Sequence, residues 1–158
     1  MIEYLKPYDI TQVTHGVVMH GCNAQGVMGS GVAKSIRAKW PLAYERYHAF
    51  CKGYEGSRLL GKVVIVNVAP ESEPPNSLFI ANAITQQNYG KDGKRYASPD
   101  AIADALVTTV AFAFALELPL FLPPIGCGLG GLNWDEEVKP LLESAASGYP
   151  INVFVCDI

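Results

Sequence analysis

The stretch from Val17 to Trp40, VVMHGCNAQGVMGSGVAKSIRAKW, constrains this chain more than any other part of it. Val17, Val18 and Met19 lead into His20 and then into a run punctuated by Gly21, Gly26, Gly29 and Gly31. That pattern reads as a buried strand opening into a loop that brings backbone close to something. Beyond Gly31 the apolar residues Val32, Ala33, Ile36 and Trp40 recur three and four apart, which is one face of a helix. A helix that starts where such a loop ends leaves unpaired N–H groups and a partial positive charge at its first turn, a place for an anion such as phosphate. From this loop alone, a tight connection that is merely rich in glycine is an equally good reading.

A second loop breaks the tie. Residues 123 to 134 read PPIGCGLGGLNW, again after an apolar run (Leu118, Leu120, Phe121, Leu122) and before a helix. Two such loops in one small α/β domain point to a ligand with two phosphates, or with one phosphate group and a sugar held between them. The rest of the chain supplies the α/β frame. Strands are expected over 2–6, 16–19, 62–68, 78–84, 118–122 and 151–156, and they alternate with helical patterns. Pro41 opens a second helix whose core face is Ala43, Tyr47, Phe50 and Cys51, and Lys52 to Gly56 end it. Ser98-Pro99-Asp100 is a helix start, with a capping hydroxyl, proline at the first position and an acid in the first turn. Asn133 with Glu136 three residues on resembles a capping box, and Pro140 must kink the helix that follows or mark a broken first turn. Between Thr85 and Ala97 lies a polar loop long enough to suspect function. Strands alternating with helices imply a largely parallel or mixed sheet covered on both faces, with ligands at the carboxyl ends of the strands.

At 158 residues the chain is expected to form one domain over 1–158, with a core that needs no disulfides. A net charge of −3 argues against general nucleic-acid binding, so an anion must be held locally by backbone groups. No apolar run is long enough to span a membrane, and the N-terminus lacks a signal-peptide pattern, so the expected location is the cytoplasm and the expected state a monomer. Cys22, Cys51, Cys127 and Cys156 are far apart and read as reduced thiols. Neither glycine loop has the dinucleotide-binding or the P-loop spacing. No metal or cofactor is called for by these residues.

His20 has two roles open to it on the residues alone. One is a buried structural histidine, which leads; the other is a general acid or base at a strand end beside the anion loops. Asp9, likewise, is first of all a turn or cap residue. His15 and His48 read as surface residues.

The ordered set of Asp9-Ile10, HGCNAQGVMGSGVAKSIRAKWP (20–41), LLGKVVIV (59–66) and PPIGCGLGGLNW (123–134) resembles a macro domain, and within that family the ADP-ribose-1''-phosphate phosphatases. The resemblance covers nearly the whole chain. It implies a three-layer α/β/α fold around a central mixed, largely parallel sheet of about six strands, with a cleft for ADP-ribose or ADP-ribose 1''-phosphate. It would have Asp9 accept a hydrogen bond from the adenine amino group, the Ile10 backbone contact the same ring, and Asn23, next to Gly21 and Cys22, hold the distal ribose. The diphosphate would lie on the backbone of Gly29, Ser30, Gly31 and Val32 and of Gly126, Cys127, Gly128, Leu129, Gly130 and Gly131. At the adenine end the chain departs from the family, with Tyr8 and Cys156 where glycine and tyrosine are common. The branch that removes ADP-ribose from protein carboxylates uses a lysine and an aspartate, whose positions here are Gln86 and Gly130. The phosphatase branch instead carries a histidine at the position of His20, which turns the balance for that residue toward catalysis, with Asp92 as a second candidate acid or base. Cys22 and Cys127 are poorer nucleophiles, since little nearby would lower a thiol pKa. The resemblance leaves three readings: phosphatase, non-catalytic ADP-ribose reader, or a hydrolase acting on ADP-ribosylated macromolecules.

Overall fold

A computed structural model describes all residues from Met1 to Ile158. Six strands, β1 (Ile2–Leu5), β2 (Gly16–Asn23), β3 (Val63–Asn67), β4 (Leu78–Gln86), β5 (Leu120–Leu122) and β6 (Val153–Cys156), form one sheet in the order β1-β6-β5-β2-β4-β3. Every neighbouring pair is parallel except β3 and β4, so the sheet is mixed and largely parallel, as expected. Because β6, β5, β2 and β4 run the same way, their carboxyl ends share one edge of the sheet.

Alternation along the strands divides the core between two faces. Val17 and Met19 of β2 point to the side covered by α4 (Pro99–Ala115) and α5 (Lys139–Ala146), where Ile102, Leu106, Val110 and Leu142 meet Leu120, Leu122, Val153 and Val155. Val18 and Cys22 point to the other side, covered by α1 (Gly31–Lys39) and α2 (Pro41–Lys52) through Ile36, Ala43, Tyr47 and Cys51. The three layers follow from that split.

The central strands are longer than their apolar runs. β2 continues to Asn23 and β4 to Gln86, because the two strands pair along their whole length and Asn23 sits opposite Gln86. Pairing between neighbours, not side-chain polarity, sets where these strands stop. A short helix, α3 (Gly56–Leu59), lies where the sequence reads only as a helix end. Ser98 caps α4 by accepting from the Ala101 N–H at 3.2 Å, as its motif requires. At the other cap, Asn133 accepts from the Glu136 N–H (2.9 Å), but the return bond comes from Glu137, which accepts from the Asn133 N–H at 2.7 Å. The wider π-helical turn Trp134–Val138 moves the reciprocal partner one residue on, and α5 restarts after it with Pro140 in its first turn.

Candidate functional site

Both glycine-rich loops leave the shared edge of the sheet, and between them lies a cleft of about 830 Å³. It runs from the end of β6, at Cys156, Asp157 and Ile158, across β5 and β2 to the end of β4 at Thr85 and Gln86. Three strand spacings separate β6 from β4, roughly 14 Å.

Asn23, the last residue of β2, organises the first loop. Its Oδ1 accepts from the N–H groups of Gln25 (3.0 Å) and Val27 (3.2 Å) and from the Tyr47 hydroxyl (2.9 Å), while its Nδ2 donates to the Val27 carbonyl at 2.8 Å. Tyr47 comes up from α2, fully buried, and burial pushes its phenol pKa far above the ordinary value. His48, next on α2, holds the Gly26 carbonyl at 2.9 Å and stacks on Tyr44, so it is a loop anchor and not the surface residue its sequence context suggests. Gln25 ties the loop to the 87–98 segment by donating to the Gln87 carbonyl (3.0 Å) and the Asn88 side chain (3.1 Å). The loop delivers the chain into α1 at Ser30, whose hydroxyl caps nothing, and the N–H groups of Gly31, Val32 and Ala33 find no acceptor within the chain.

The second loop is held by backbone. Leu132 N–H donates to Gly126 O (2.8 Å), Gly131 N–H to Gly128 O (3.2 Å), and the N–H groups of Tyr96 and Ala97 both donate to Gly130 O. The N–H groups of Gly126, Gly128, Leu129 and Gly130 are left without an acceptor from the chain, along the cleft wall. A Cβ on Gly130 would stand 2.6 Å from the Gly126 carbonyl oxygen, so this turn closes only around glycine.

Of the residues singled out from the sequence, Gly21, Cys22, Asn23, Gly29 to Val32 and Gly126 to Gly130 line the cleft. Gly131 lies just beyond it. Asp9 and Ile10 also lie outside it. The Asp9 carboxylate accepts from the Thr11 N–H (2.9 Å) and hydroxyl (2.7 Å), capping a 3₁₀ turn over Ile10–Gln12, and those bonds hold its pKa below the ordinary value. The adjoining Tyr8 N–H donates to Asp157 O (2.7 Å), which sets this turn beside the β6 end of the cleft. Ile10 is buried against Val13, Val18 and Ile36.

His20 is not at the cleft. It lies on the α2 side of β2, 1% exposed, with Nε2 2.6 Å from Asn82 Oδ1. Because the Asn82 amide donates to the carbonyls of Ala43 and Val64, its Oδ1 is an acceptor, so His20 Nε2 carries the proton and donates. Burial lowers the imidazole pKa to about 4, against a smaller upward pull from Asn82. The side chain is a neutral core histidine whose ring lies 3.6 Å from the Sγ of the cleft residue Cys22, and this geometry lends no support to the acid–base role expected of it. Asp92 is an exposed loop carboxylate that accepts from the Tyr96 hydroxyl (2.8 Å) and the Lys94 N–H (3.2 Å), next to the cleft residue Lys91 but outside the lining itself. Cys22 and Cys127 do line the cleft, but burial pushes the first well above the usual thiol range, and burial with Glu137 and Asp135 pushes the second up to about 11. Neither is a thiolate nucleophile.

Sequence reasoning passed over Tyr89, Lys91 and the C-terminal Asp157. Tyr89 and Lys91 belong to the polar loop after β4, whose length was the available signal; Asp157 had none. Lys91 is the sole lysine or arginine lining the cleft and Asp157 the sole acid, and Asp157 is paired with Lys6 at 3.3 Å. No group of three His, Cys, Asp or Glu side chains is arranged to hold a metal ion, and no helix is long and apolar enough to cross a membrane.

Residues 19–141 match the sequence profile of the family described as Macro domain. An ADP-ribose 1''-phosphate phosphatase of Scheffersomyces stipitis is 29% identical over 136 residues, which cover 76% of this chain and 78% of that protein. A DNA ADP-ribosyl glycohydrolase of Mycobacterium tuberculosis is 28% identical over 144 residues, 90% of this chain but 38% of the relative. Among solved structures, a protein of unknown function from Bacteroides thetaiotaomicron superposes with a TM-score of 0.85 at 31% identity, covering 100% of this chain and 98% of that one.

Proposed function

This chain belongs to the macro domain family, and from that premise we propose that its cleft binds ADP-ribose and that the protein hydrolyses ADP-ribose 1''-phosphate to ADP-ribose and inorganic phosphate. The observation that carries the binding half is the pair of loops whose unpaired N–H groups line one cleft, at Gly31 to Ala33 and at Gly126 and Gly128 to Gly130. A diphosphate bridging them would be held by fixed backbone dipoles, without a basic field. The cleft's span leaves room for adenosine toward Asp157 and the distal ribose toward Asn23 and the β4 end.

The phosphatase half rests on the name of the S. stipitis relative and on Lys91. A 1''-phosphate on the distal ribose would lie at the Asn23 end, and Lys91 is the one cation there to meet a dianion. Water would supply the oxygen and the proton that the two products gain. With no acid–base side chain in place, the acceleration would come from positioning and from preorganised N–H and ammonium groups around the phosphoryl oxygens. That same lack of an acid or base favours a second reading, a reader that binds ADP-ribose without turnover. Removal of ADP-ribose from DNA, the activity in the M. tuberculosis relative's name, is a further reading, whereas removal from protein carboxylates is less well supported. The aspartate that the carboxylate-specific branch would place at Gly130 has no room beside the Gly126 carbonyl.

Phosphate release from ADP-ribose 1''-phosphate tests the proposal. Wild type is expected to release phosphate over many turnovers, and Lys91→Gln to lose about tenfold in kcat/KM, the loss of one charge-assisted contact, while binding ADP-ribose as before. Tight ADP-ribose binding with no phosphate release would favour the reader.

A further inference from the structure

Asn23 lies at the distal-ribose end of the cleft, and its valences are nearly all spent inside the protein. The two backbone N–H groups that meet Oδ1 can only donate, and the Val27 carbonyl that meets Nδ2 can only accept, so chemistry fixes which way the amide faces. The Tyr47 hydroxyl completes the arrangement, with its single proton shared between the Asn23 backbone carbonyl (2.5 Å) and Oδ1 (2.9 Å). Oδ1 then serves three donors. What remains for a ligand is one N–H on Nδ2.

We propose that Tyr47 is a positioning residue for ligand recognition. Its shared hydrogen bond locks the Asn23 amide with Oδ1 turned into the loop and one Nδ2–H turned to the cleft, so that Asn23 recognises a lone pair on a distal-ribose hydroxyl and offers no acceptor. The inference rests on the reading of the cleft as an ADP-ribose site and adds what neither the relatives nor the loop pattern specify. It explains why a fully buried tyrosine on α2 reaches up to a residue at the strand end instead of packing as a phenylalanine would. It also gives the first loop its sensitivity: without the hydroxyl, the amide keeps its facing through the loop's own groups but loses the one partner that ties it to α2, and the residue that reads the ribose is held less firmly.

The test compares ADP-ribose with ADP, which lacks the distal ribose, by calorimetry on wild type, Tyr47→Phe, Asn23→Ala and the double variant. Wild type is expected to bind ADP-ribose more tightly than ADP. Tyr47→Phe should weaken ADP-ribose about tenfold and leave ADP within about twofold, and it should cost nothing further once Asn23 is alanine. Equal weakening of both compounds by Tyr47→Phe would mean a merely structural tyrosine and would overturn the proposal. So would a wild type that binds both compounds equally well. A wild type that binds neither compound would instead bring down the ADP-ribose reading, and this inference with it. Should Tyr47→Phe not fold, the Asn23 side-chain amide resonances of wild type decide: ADP-ribose is expected to shift one of the two Nδ2 protons and ADP neither, and identical responses to the two compounds would refute the role.

Discussion

The two glycine-rich loops look alike in sequence and are built in opposite ways. The first hangs on side chains: Asn23 gathers Gln25, Val27 and Tyr47, and His48 holds the Gly26 carbonyl. The second hangs on backbone, with Gly130 so close to the Gly126 carbonyl that a methyl group would not fit. The cores beneath them differ in the same sense. The α4/α5 face under the second loop is a large apolar cluster, whereas the α1/α2 face carries the buried polar pairs His20–Asn82 and Tyr47–Asn23. Glycine content therefore says little about how a loop is held. One loop needs its partners on a helix, the other needs the absence of Cβ atoms.

Substitutions separate the two designs. Gly130→Ala should have the largest effect, because the Cβ meets a backbone oxygen at 2.6 Å that cannot move without opening the turn. A loss of about 2–3 kcal/mol is expected in urea denaturation, together with ADP-ribose affinity falling more than about tenfold. Acid should act on the other face. With its folded pKa lowered to about 4 against 6.5 unfolded, His20 lets the unfolded chain take up a proton that the native one refuses. Stability should be full above pH 6.5 and should fall as the pH drops toward 4. Between pH 7 and 5 the change is about 2 kcal/mol, and a His20→Leu variant should show a flatter profile and unaltered ligand binding.

His48→Ala ranks next. Losing the bond to Gly26 should cost about 1 kcal/mol and a few-fold in ADP-ribose affinity, both readable from one calorimetric and one thermal series. Gly29→Ala should change least. Its Cβ would meet nothing nearer than Val27 Cγ1 at 3.6 Å, so the shift should stay within about 0.5 kcal/mol. If Gly29→Ala proved as damaging as Gly130→Ala, the contrast between the loops would collapse.

Much of the fold was legible because it rests on local patterns. Apolar runs marked the strands, the Ser98-Pro99-Asp100 start marked α4, and the glycine runs marked both loops. The ends of β2 and β4 were not legible, since they are set by pairing of Asn23 with Gln86 across the sheet. The site divides the same way. Backbone contributions could be read from glycine spacing, but side-chain contributions depend on which face of a strand a residue occupies. His20 and Asn23 are three residues apart on β2, and one is sealed under α2 while the other ends at the cleft. A resemblance that carried a catalytic role to His20 could not register that difference. Lys91 escaped notice for the opposite reason, as one charge among several in a loop whose path only the tertiary structure fixes.

The most direct measurement is a calorimetric titration of the wild-type protein with ADP-ribose. If the two loops form one site, heat should saturate at one ligand per chain, and the same titration on Gly130→Ala, confirmed folded by its circular dichroism, should show the affinity lost. An absence of saturable binding by wild type, or binding that Gly130→Ala leaves untouched, would contradict the account.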